Sequence, residues 1–391
     1  MTVAVEGVAT GGEGVARAPD GRVLFVPGAL PGERVEVEIT DVRRRHGRAR
    51  LIAVVEASGH RVDPPCPHVG AGCGGCDWQH VDATLADALR LRIVADALER
   101  IGGLRSAPVE AAPPIASEGR TTVRAAVTDG RAGFRRRRSH DVLTVDSCRV
   151  AHPLVEEVLV DGRFGAADEV VIRVGARTGD RMVVLDPAAD GRVTVPDDVA
   201  VVSRADPASD AVLHEDIAGR RWRVSARSFL QPSPEAADAL VAEVGAAIDQ
   251  VAGRSGRLID LAAGIGLFAG SVADGFDDVV AVERAPSAVA DARVNLPSGV
   301  QVEEVRFERW GPRPAGCVVA DPPRAGLDRD GVDRVAATGA PVVVLVSCDA
   351  AALGRDAGLL VGAGYRLERC RVLDLFPGTS RVEVVSAFRL G

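Results

Sequence analysis

Residues 342–349 read V-V-V-L-V-S-C-D, an apolar run that ends on Ser347, Cys348 and Asp349. Such a run bounded by polar residues predicts a buried parallel strand. A strand cysteine is ordinarily a small hydrophobe. At the carboxyl end of a parallel strand, however, it stands where open α/β sheets bind ligands, and there a thiol can serve as a nucleophile. A second reactive group lies near the C-terminus, where Glu383 sits among Val382, Val384 and Val385. A carboxyl group in apolar company has a raised pKa and is suited to proton transfer. The plainer reading is an outward-facing charge on an alternating strand.

Two further strand ends carry chemistry. After R-L-I-D-L comes A-A-G-I-G-L-F-A-G (262–270), in which Gly264-x-Gly266-x-x-Ala269 lets the backbone turn tightly and approach a ligand. Glu283 follows Gly264 by nineteen residues, at the end of the next predicted strand. That spacing suits a carboxylate binding ribose hydroxyls, whether of NAD or of S-adenosylmethionine. The third strand ends in A-D-P-P-R-A-G-L-D (320–328), where two prolines fix a rigid loop behind Asp321. A dehydrogenase has no evident need for this arrangement, whereas D/N-P-P-x at the fourth motif of a Rossmann-like fold points towards methyl transfer. The plainer reading is a simple turn.

Seven cysteines are present, three of them within residues 66–76. An odd count with this crowding argues against a disulfide framework and for a metal site. Cys66, Cys73 and Cys76 with the distant Cys148 supply four thiolates, which zinc or a [4Fe–4S] cluster would accept equally by spacing. Cys317 and Cys370 fall within apolar strand patterns and read as core thiols.

The elements that must position these groups follow from composition and pattern. The chain has 391 residues, 47% hydrophobic and 3% aromatic, so its cores rest on Val, Leu and Ala. All its Lys+Arg residues are Arg, and the net charge is −8. A uniformly basic nucleic-acid binder is thereby excluded, but R-R-R-H-G-R-A-R (43–50) and R-R-R-R (135–138) remain as local patches. No apolar run has the roughly 18 residues needed to span a bilayer, and the start M-T-V-A-V-E-G lacks secretory-signal features. The expectation is a soluble, cytoplasmic protein without a membrane partner, for which a monomer suffices.

Residues 1–57 alternate short strands with Gly and Pro turns and predict a closed OB-like barrel, with or without an oligonucleotide ligand. Residues 58–225 predict a β-rich central domain that contains the cysteine cluster. Within it, residues 81–103 are a helix, with Leu85, Leu89, Leu91, Ile93, Val94, Ala97 and Leu98 at helical spacing and Gly102–Gly103 as the stop. From 226 to 391 strands at 257–261, 279–283, 316–320 and 342–347 alternate with helices. The first helix opens on Ser233-Pro234-Glu235, and the end of the chain reads as a hairpin through F-P-G-T. This is a multidomain α/β protein whose last domain is Rossmann-like.

Taken together, D-P-P-R-A-G-L, V-S-C-D-A-A-A-L-G-R-D and D-L-F-P-G-T-S-R-V-E resemble the closing motifs of the RNA uracil-C5 methyltransferases. S-F-L-Q-P (228–232) and D-L-A-A-G-I-G-L-F resemble that family's cofactor segments, C-G-G-C-D-W-Q-H (73–80) its iron–sulfur segment, and residues 1–57 its TRAM barrel. The resemblance runs over the whole chain in order. It implies a class I, S-adenosylmethionine-dependent enzyme in which Cys348 adds to C6 of uracil and Glu383 removes the C5 proton. It further implies cofactor contacts from Gln231 and Glu283, with Ala262 at a usually aromatic cofactor position and Asp321 as a cofactor or uracil contact; Gly264 and Gly266 of the glycine loop complete the expected cofactor site. The implied metal group is a [4Fe–4S] cluster on Cys66, Cys73, Cys76 and Cys148, favoured over zinc. The implied partner is RNA, with large-subunit ribosomal RNA favoured by the barrel and transfer RNA as the alternative. The resemblance also lets helix 81–103 pack on the catalytic domain.

The sequence departs from the family's pattern at several points. Ala262–Ala263 replaces an aromatic–Cys pair, Leu267 a small or polar residue, Asp349–Ala350 an Asn-Pro, and Arg381 a His. The gap between the first two cysteines is one residue longer than usual. An NAD-dependent oxidoreductase and an inactive RNA-binding relative are the competing readings.

Overall fold

The computed structural model describes residues 1–187, 192–206, 211–251 and 253–391. Among these residues, strands Thr2–Val8, Gly14–Arg17, Val23–Val26, Arg34–Val42 and His46–Glu56 close into a barrel. Val3, Val5, Leu24, Val26, Val35 and Val37 fill it, while Thr2, Ala4, Glu36 and Glu38 face outward. This is the period-two alternation of a strand with one buried face. Glu33 is fully buried beneath the barrel and accepts from the Arg61 guanidinium at 2.6 and 2.8 Å.

The central region forms a sheet in the order Val199–Ser203, Arg181–Asp186, Glu169–Val174, Thr122–Thr128, Arg131–Arg135, Val142–Thr144. Its pairs are antiparallel except the first. A helix at Pro153–Asp161, which the reading of 58–225 as a β-rich domain did not contain, packs Val155, Val158 and Leu159 into the same core. Pro153 opens it, and the His152 ring accepts from Leu154 N–H at 3.3 Å. Nine residues are too few for the periodicity to stand out in the sequence.

The third sheet runs Gln301–Glu304, Asp278–Glu283, Arg257–Leu261, Cys317–Ala320, Val342–Ser347, Glu383–Leu390, Tyr365–Leu373, Val109–Ala111. The first five strands are parallel, and Glu383–Leu390 inserts antiparallel between Val342–Ser347 and Tyr365–Leu373. Strand order reverses between Arg257–Leu261 and Cys317–Ala320, and their carboxyl ends flank the switch-point crevice. The edge strands Gln301–Glu304 and Val109–Ala111 are too short to announce themselves in the sequence.

Helix Ala83–Arg100 belongs spatially to this third sheet, although it precedes the central one in sequence. Asp82 caps it by accepting from Leu85 N–H at 2.8 Å. It lies against Ala350–Gly362, the helix that follows Cys348. The approach is close because Gly354 and Gly358 carry no side chains, and a Cβ on either would strike backbone oxygens of Ala97 and Gly102. Burying Leu89, Ile93, Val94 and Leu98 there gives roughly 6–12 kcal/mol of gross hydrophobic stabilisation. Likewise the hairpin Val212–Ile217/Arg220–Ser225 lays Trp222 in a core shared with Ile265 and Leu267 of the glycine loop.

Candidate active site

The register of the two strands that carry the reactive groups decides their proximity. Ser347 pairs with Val384 in an antiparallel ladder. One step further along the same register puts Cys348, just beyond its strand, across from Glu383, the first residue of the other. Cross-strand neighbours lie about 4.5–5.5 Å apart at Cα, so two groups 35 positions apart in sequence become adjacent. Asp349 caps the helix after Cys348, accepting from Ala351 and Ala352 N–H at 2.9 and 3.0 Å, which turns the chain sharply at the thiol.

Electrostatics separate this thiol from an ordinary one. Burial pushes Cys348 up to about 11, the Glu383 and Asp321 carboxyls add to the rise, and the Arg324 guanidinium opposes it. Glu383 is 4% exposed. Its carboxyl is raised well above the usual range by that burial and then by Asp321. Burial also carries Asp321 up to about 7. Deeper in the sheet, burial takes Asp260 up to about 8. Its Oδ2 accepts from Ala269 N–H at 2.8 Å, which fixes the glycine loop.

Two adjoining cavities meet at Cys348, Arg324, Arg381 and Val382. The inner one, about 500 Å³, lies over the switch point. Its apolar walls include Ile265, Leu267, Phe268, Phe307 and Phe376, and its polar groups are Gln231, Glu283, Asp321 and Glu383. That size and mixture suit a nucleoside joined to an amino acid. Gln231, Ala262, Gly264, Glu283 and Asp321 all line it, and the Gln231 amide donates to Asp321 at 3.5 Å. Glu283 spans two strand ends: Oε2 accepts from Gly264 N–H at 2.9 Å, and Oε1 from Arg284 and Ala285 N–H at 2.7 Å.

Gly266, expected to contact the cofactor, is not among the residues that line this cavity. Its φ is +91°, and a Cβ there would run into Leu296, so the glycine serves helix packing behind the site. Gly264 at φ +57° faces open space and leaves the backbone accessible to a ligand. Both positions carry the glycine that the loop spacing requires, but only one is presented to the cavity.

The outer cavity, about 450 Å³, lies where three parts of the chain meet. Thr10, Gly12, Glu13 and Gly28 come from the barrel; Gly74, Gly75, Asp77, Arg137 and Arg138 from the cysteine segment and central hairpin; Ser380 and Arg381 from the C-terminal loop. The two basic runs converge here. Arg48 pairs with Glu13 at 3.0 Å, and Arg138 pairs with the same carboxylate. The sequence reading assigned no role to Arg324, Phe229, Glu13, Asp77 or Ser380. Arg324 follows D-P-P and Phe229, 69% exposed, precedes Leu230-Gln231, so both had a local signal. Glu13, Asp77 and Ser380 had none, because only the chain's folding back gathers them.

Cys66, Cys73, Cys76 and Cys148 form no disulfide; Cys73 lies near Cys66 and Cys76, and Cys148 near Cys76. Burial pushes the Cys73 thiol up, and Cys76 and Cys66 push it further; Cys148 is raised by burial and then by Cys76. The Cys73 sulfur also accepts from Gly75 N–H at 3.5 Å. Among the described residues, no three His, Cys, Asp or Glu side chains close round a single ion. An all-sulfur donor set whose members repel one another fits a group that accepts thiolates. No described helix is long and apolar enough to cross a membrane.

An eight-stranded, mostly parallel sheet with a nucleoside-sized cavity at its switch point, joined to a small barrel, defines a class I methyltransferase with an appended binding module. Residues 1–52 match the TRAM domain family. The chain is 38% identical to a Streptomyces avermitilis protein described as an uncharacterized RNA methyltransferase, over 97% of this chain and 95% of the other. It is 31% identical to the 23S rRNA (uracil(1939)-C(5))-methyltransferase RlmD of Pectobacterium atrosepticum, over 99% and 93%. The fold is that of the Pyrococcus abyssi tRNA (uracil-54, C5)-methyltransferase in complex with S-adenosyl-L-homocysteine, with a TM-score of 0.77 at 23% identity over 99% and 100% of the chains. The chain belongs to the RNA uracil-C5 methyltransferase family, and it is an S-adenosylmethionine-dependent RNA methyltransferase.

Proposed function

We propose that this enzyme methylates C5 of a uridine in RNA through a covalent adduct on Cys348, with Glu383 as the base. The observation that carries this reading is the placement of Cys348 across from Glu383 at the junction of the two cavities. C5 of uracil is a poor nucleophile and needs activation. In this scheme the Cys348 thiolate forms a bond to C6, and the displaced π electrons make C5 carbanionic. C5 would then form a bond to the electrophilic methyl group that S-adenosylmethionine supplies when bound, with S-adenosylhomocysteine as the leaving group. Glu383 then takes the C5 proton, the C5=C6 bond re-forms, and the Cys348 thiolate is expelled. A carboxylate with a raised pKa is the stronger proton acceptor, in keeping with the burial of Glu383. Gln231, Glu283, Asp321, Ala262 and the Gly264 backbone would hold the methyl donor. Arg324 would steady charge that develops on the thiol and the pyrimidine oxygens.

The target base must leave its stack to reach Cys348. In our reading it enters through the outer cavity, with its flanking phosphates against the arginines of the two basic runs. We assign barrel residues 1–57 and central residues 58–225 to RNA binding and residues 226–391 to catalysis. Large-subunit ribosomal RNA, met in the cytoplasm, is the favoured substrate and transfer RNA the alternative. The four cysteines would carry a [4Fe–4S] cluster. Zinc at about 2.3 Å from each sulfur needs its ligands tightly gathered, whereas cluster ligands bind different irons and stand further apart. The test is to incubate anaerobically purified enzyme with S-adenosylmethionine and with unmodified ribosomal or transfer RNA transcripts. 5-Methyluridine in one RNA supports the reading and names the substrate. Methylation at another atom, or none by enzyme with intact metal content, refutes it.

A further inference from the structure

The loop Asp374–Val382 joins the last two strands and delivers Arg381 to both cavities and Glu383 to the thiol. Its internal bonds are short-range: Thr379 N–H and Oγ1 donate to Phe376 O at 3.2 and 2.7 Å, Phe376 N–H to Asp374 Oδ1 at 3.2 Å, and Arg381 N–H to Thr379 Oγ1 at 3.4 Å. Most of its restraint arrives from the segment that follows Cys76. Asp77 Oδ1 accepts from Ser380 N–H at 2.9 Å and Oδ2 from Ser380 Oγ at 2.5 Å. Trp78 N–H donates to Gly378 O at 2.9 Å. Arg90, 2% exposed and stacked 5.7 Å from the Trp78 ring, donates to Thr379 O at 3.0 Å. Trp78 in turn donates from Nε1 to Gly12 O at 3.0 Å, so the barrel turn is pinned to the same place. A Cβ at Gly12 would collide with Ser380 and approach Trp78 Nε1.

We propose that Asp77 is a positioning residue for proton removal: by gripping Ser380 through both its N–H and its hydroxyl, it fixes the loop that aims Glu383. The inference rests on the reading of Glu383 as the base. Ser380 lies three residues before Glu383, the first residue of the last strand. Arg381, packed 5.4 Å over the Phe376 ring, stands beside Arg120 and Arg324, with the Asp77 carboxylate facing Arg381 and Asp374 facing Arg120. Among the described residues Asp77 is the hydrogen-bond partner of Ser380, and its loss also removes a negative charge that offsets the repulsion of Arg381 by Arg324 and Arg120. The Trp78 and Arg90 bonds would remain, so the loop would shift rather than unfold. Asp77 immediately follows Cys76, so its side chain couples the order of the cysteine segment to the base, beside the Trp78 N–H bond to Gly378 O. That gives the segment a mechanical role in a reaction that has no redox step.

The test separates bond formation at C6 from proton loss at C5. RNA containing 5-fluorouridine can accept the thiol and the methyl group but has no proton to lose, so its covalent adduct reports only the earlier steps. For Asp77→Ala, turnover on ordinary RNA should fall about 30- to 100-fold, the cost of a misplacement near 1 Å. RNA KM should change less than about threefold, and the fluorouridine adduct should form within about threefold of the wild-type rate. A primary isotope effect should appear with 5-deuterated uridine, because proton removal becomes limiting. Ser380→Ala, which keeps the backbone bond, should show the same pattern more weakly. Iron content is measured on each variant, and both must match the wild type. Loss of adduct formation in parallel with turnover, or an unchanged isotope effect, overturns the proposal. Glu383→Gln is the control for the underlying reading. If it turns over normally, Glu383 is not the base; if it stalls as an adduct while Asp77→Ala behaves as wild type, only the present inference falls.

Discussion

Alkylation of Cys348 in the RNA-free enzyme should be slow near neutral pH and should keep rising well into the alkaline range. The thiol is pushed from an ordinary value near 9 to about 11 by burial, with Glu383 and Asp321 adding to the rise. Two pH units lower the thiolate fraction near neutrality roughly 100-fold. A more basic thiolate is also a better nucleophile, and a Brønsted coefficient of about 0.45 over two units returns about eightfold. The net expectation is a rate about 12-fold below that of an exposed thiol with the ordinary value. Iodoacetamide labelling across a pH series, followed by peptide mass spectrometry at Cys348, gives the profile, and the same peptide in denaturant supplies the reference. Arg324→Gln removes the opposing positive charge and should move the profile further up. A plateau already reached near the ordinary thiol value would refute the argument, because burial beside two carboxyls could not then control this thiol. If the profile holds, the thiolate must be generated with RNA in place, and the free enzyme is protected from adventitious oxidation.

Three further expectations concern the parts around the thiol. Glu13→Gln frees Arg48 and Arg138 for phosphate. RNA affinity in low salt should rise about three- to tenfold and its salt dependence steepen, as measured by filter binding across a salt series; weaker binding would mean that Glu13 organises the arginines for RNA. Arg61→Ala leaves the fully buried Glu33 carboxylate without its partner and should cost about 3–5 kcal/mol, read by denaturant unfolding. Burial works against the Glu33 charge, but the Arg61 bond and the Leu30 and Ser58 N–H groups outweigh it and hold the carboxyl below its usual range. The stability this confers is present above the unfolded-state pKa and is lost as pH falls through the lower folded value, so Glu33→Gln should flatten the acid limb of the unfolding profile.

Much of the architecture was legible because local pattern and tertiary structure agree. Val342–Ser347, Arg257–Leu261 and Asp278–Glu283 are strands in both readings, since a parallel sheet covered on both faces demands unbroken apolar runs. The barrel strands show their alternation, and Ser233-Pro234 opens the helix Pro234–Val251, with Ser233 Oγ accepting from Ala236 N–H at 3.2 Å. Where pattern was weak the reading thinned out. Val109–Ala111 and Gln301–Glu304 are held by their neighbours rather than by their own periodicity, and the helix Pro153–Asp161 was absorbed into a β-rich stretch.

The candidate site divides along the same line. By itself the sequence determined which groups can react, because Cys348, Glu383, Asp321 and the Gly264 loop each sit at the end of a recognisable element. Their mutual placement was decided only by the tertiary structure. The insertion of Glu383–Leu390 beside Val342–Ser347 brings base and thiol together, and the reversal of strand order opens the cavity beneath them. At Gly266 motif spacing and packing coincide: φ is +91° and a Cβ would run into Leu296. The outer cavity and the grip of Asp77 on Ser380 lie furthest from the sequence, since they join the barrel turn, the cysteine segment and the C-terminal loop across about 300 residues. Contacts of that range carry no periodic or local signature. They exist because loops with little structure of their own must find hydrogen-bond partners wherever the folded sheets place them.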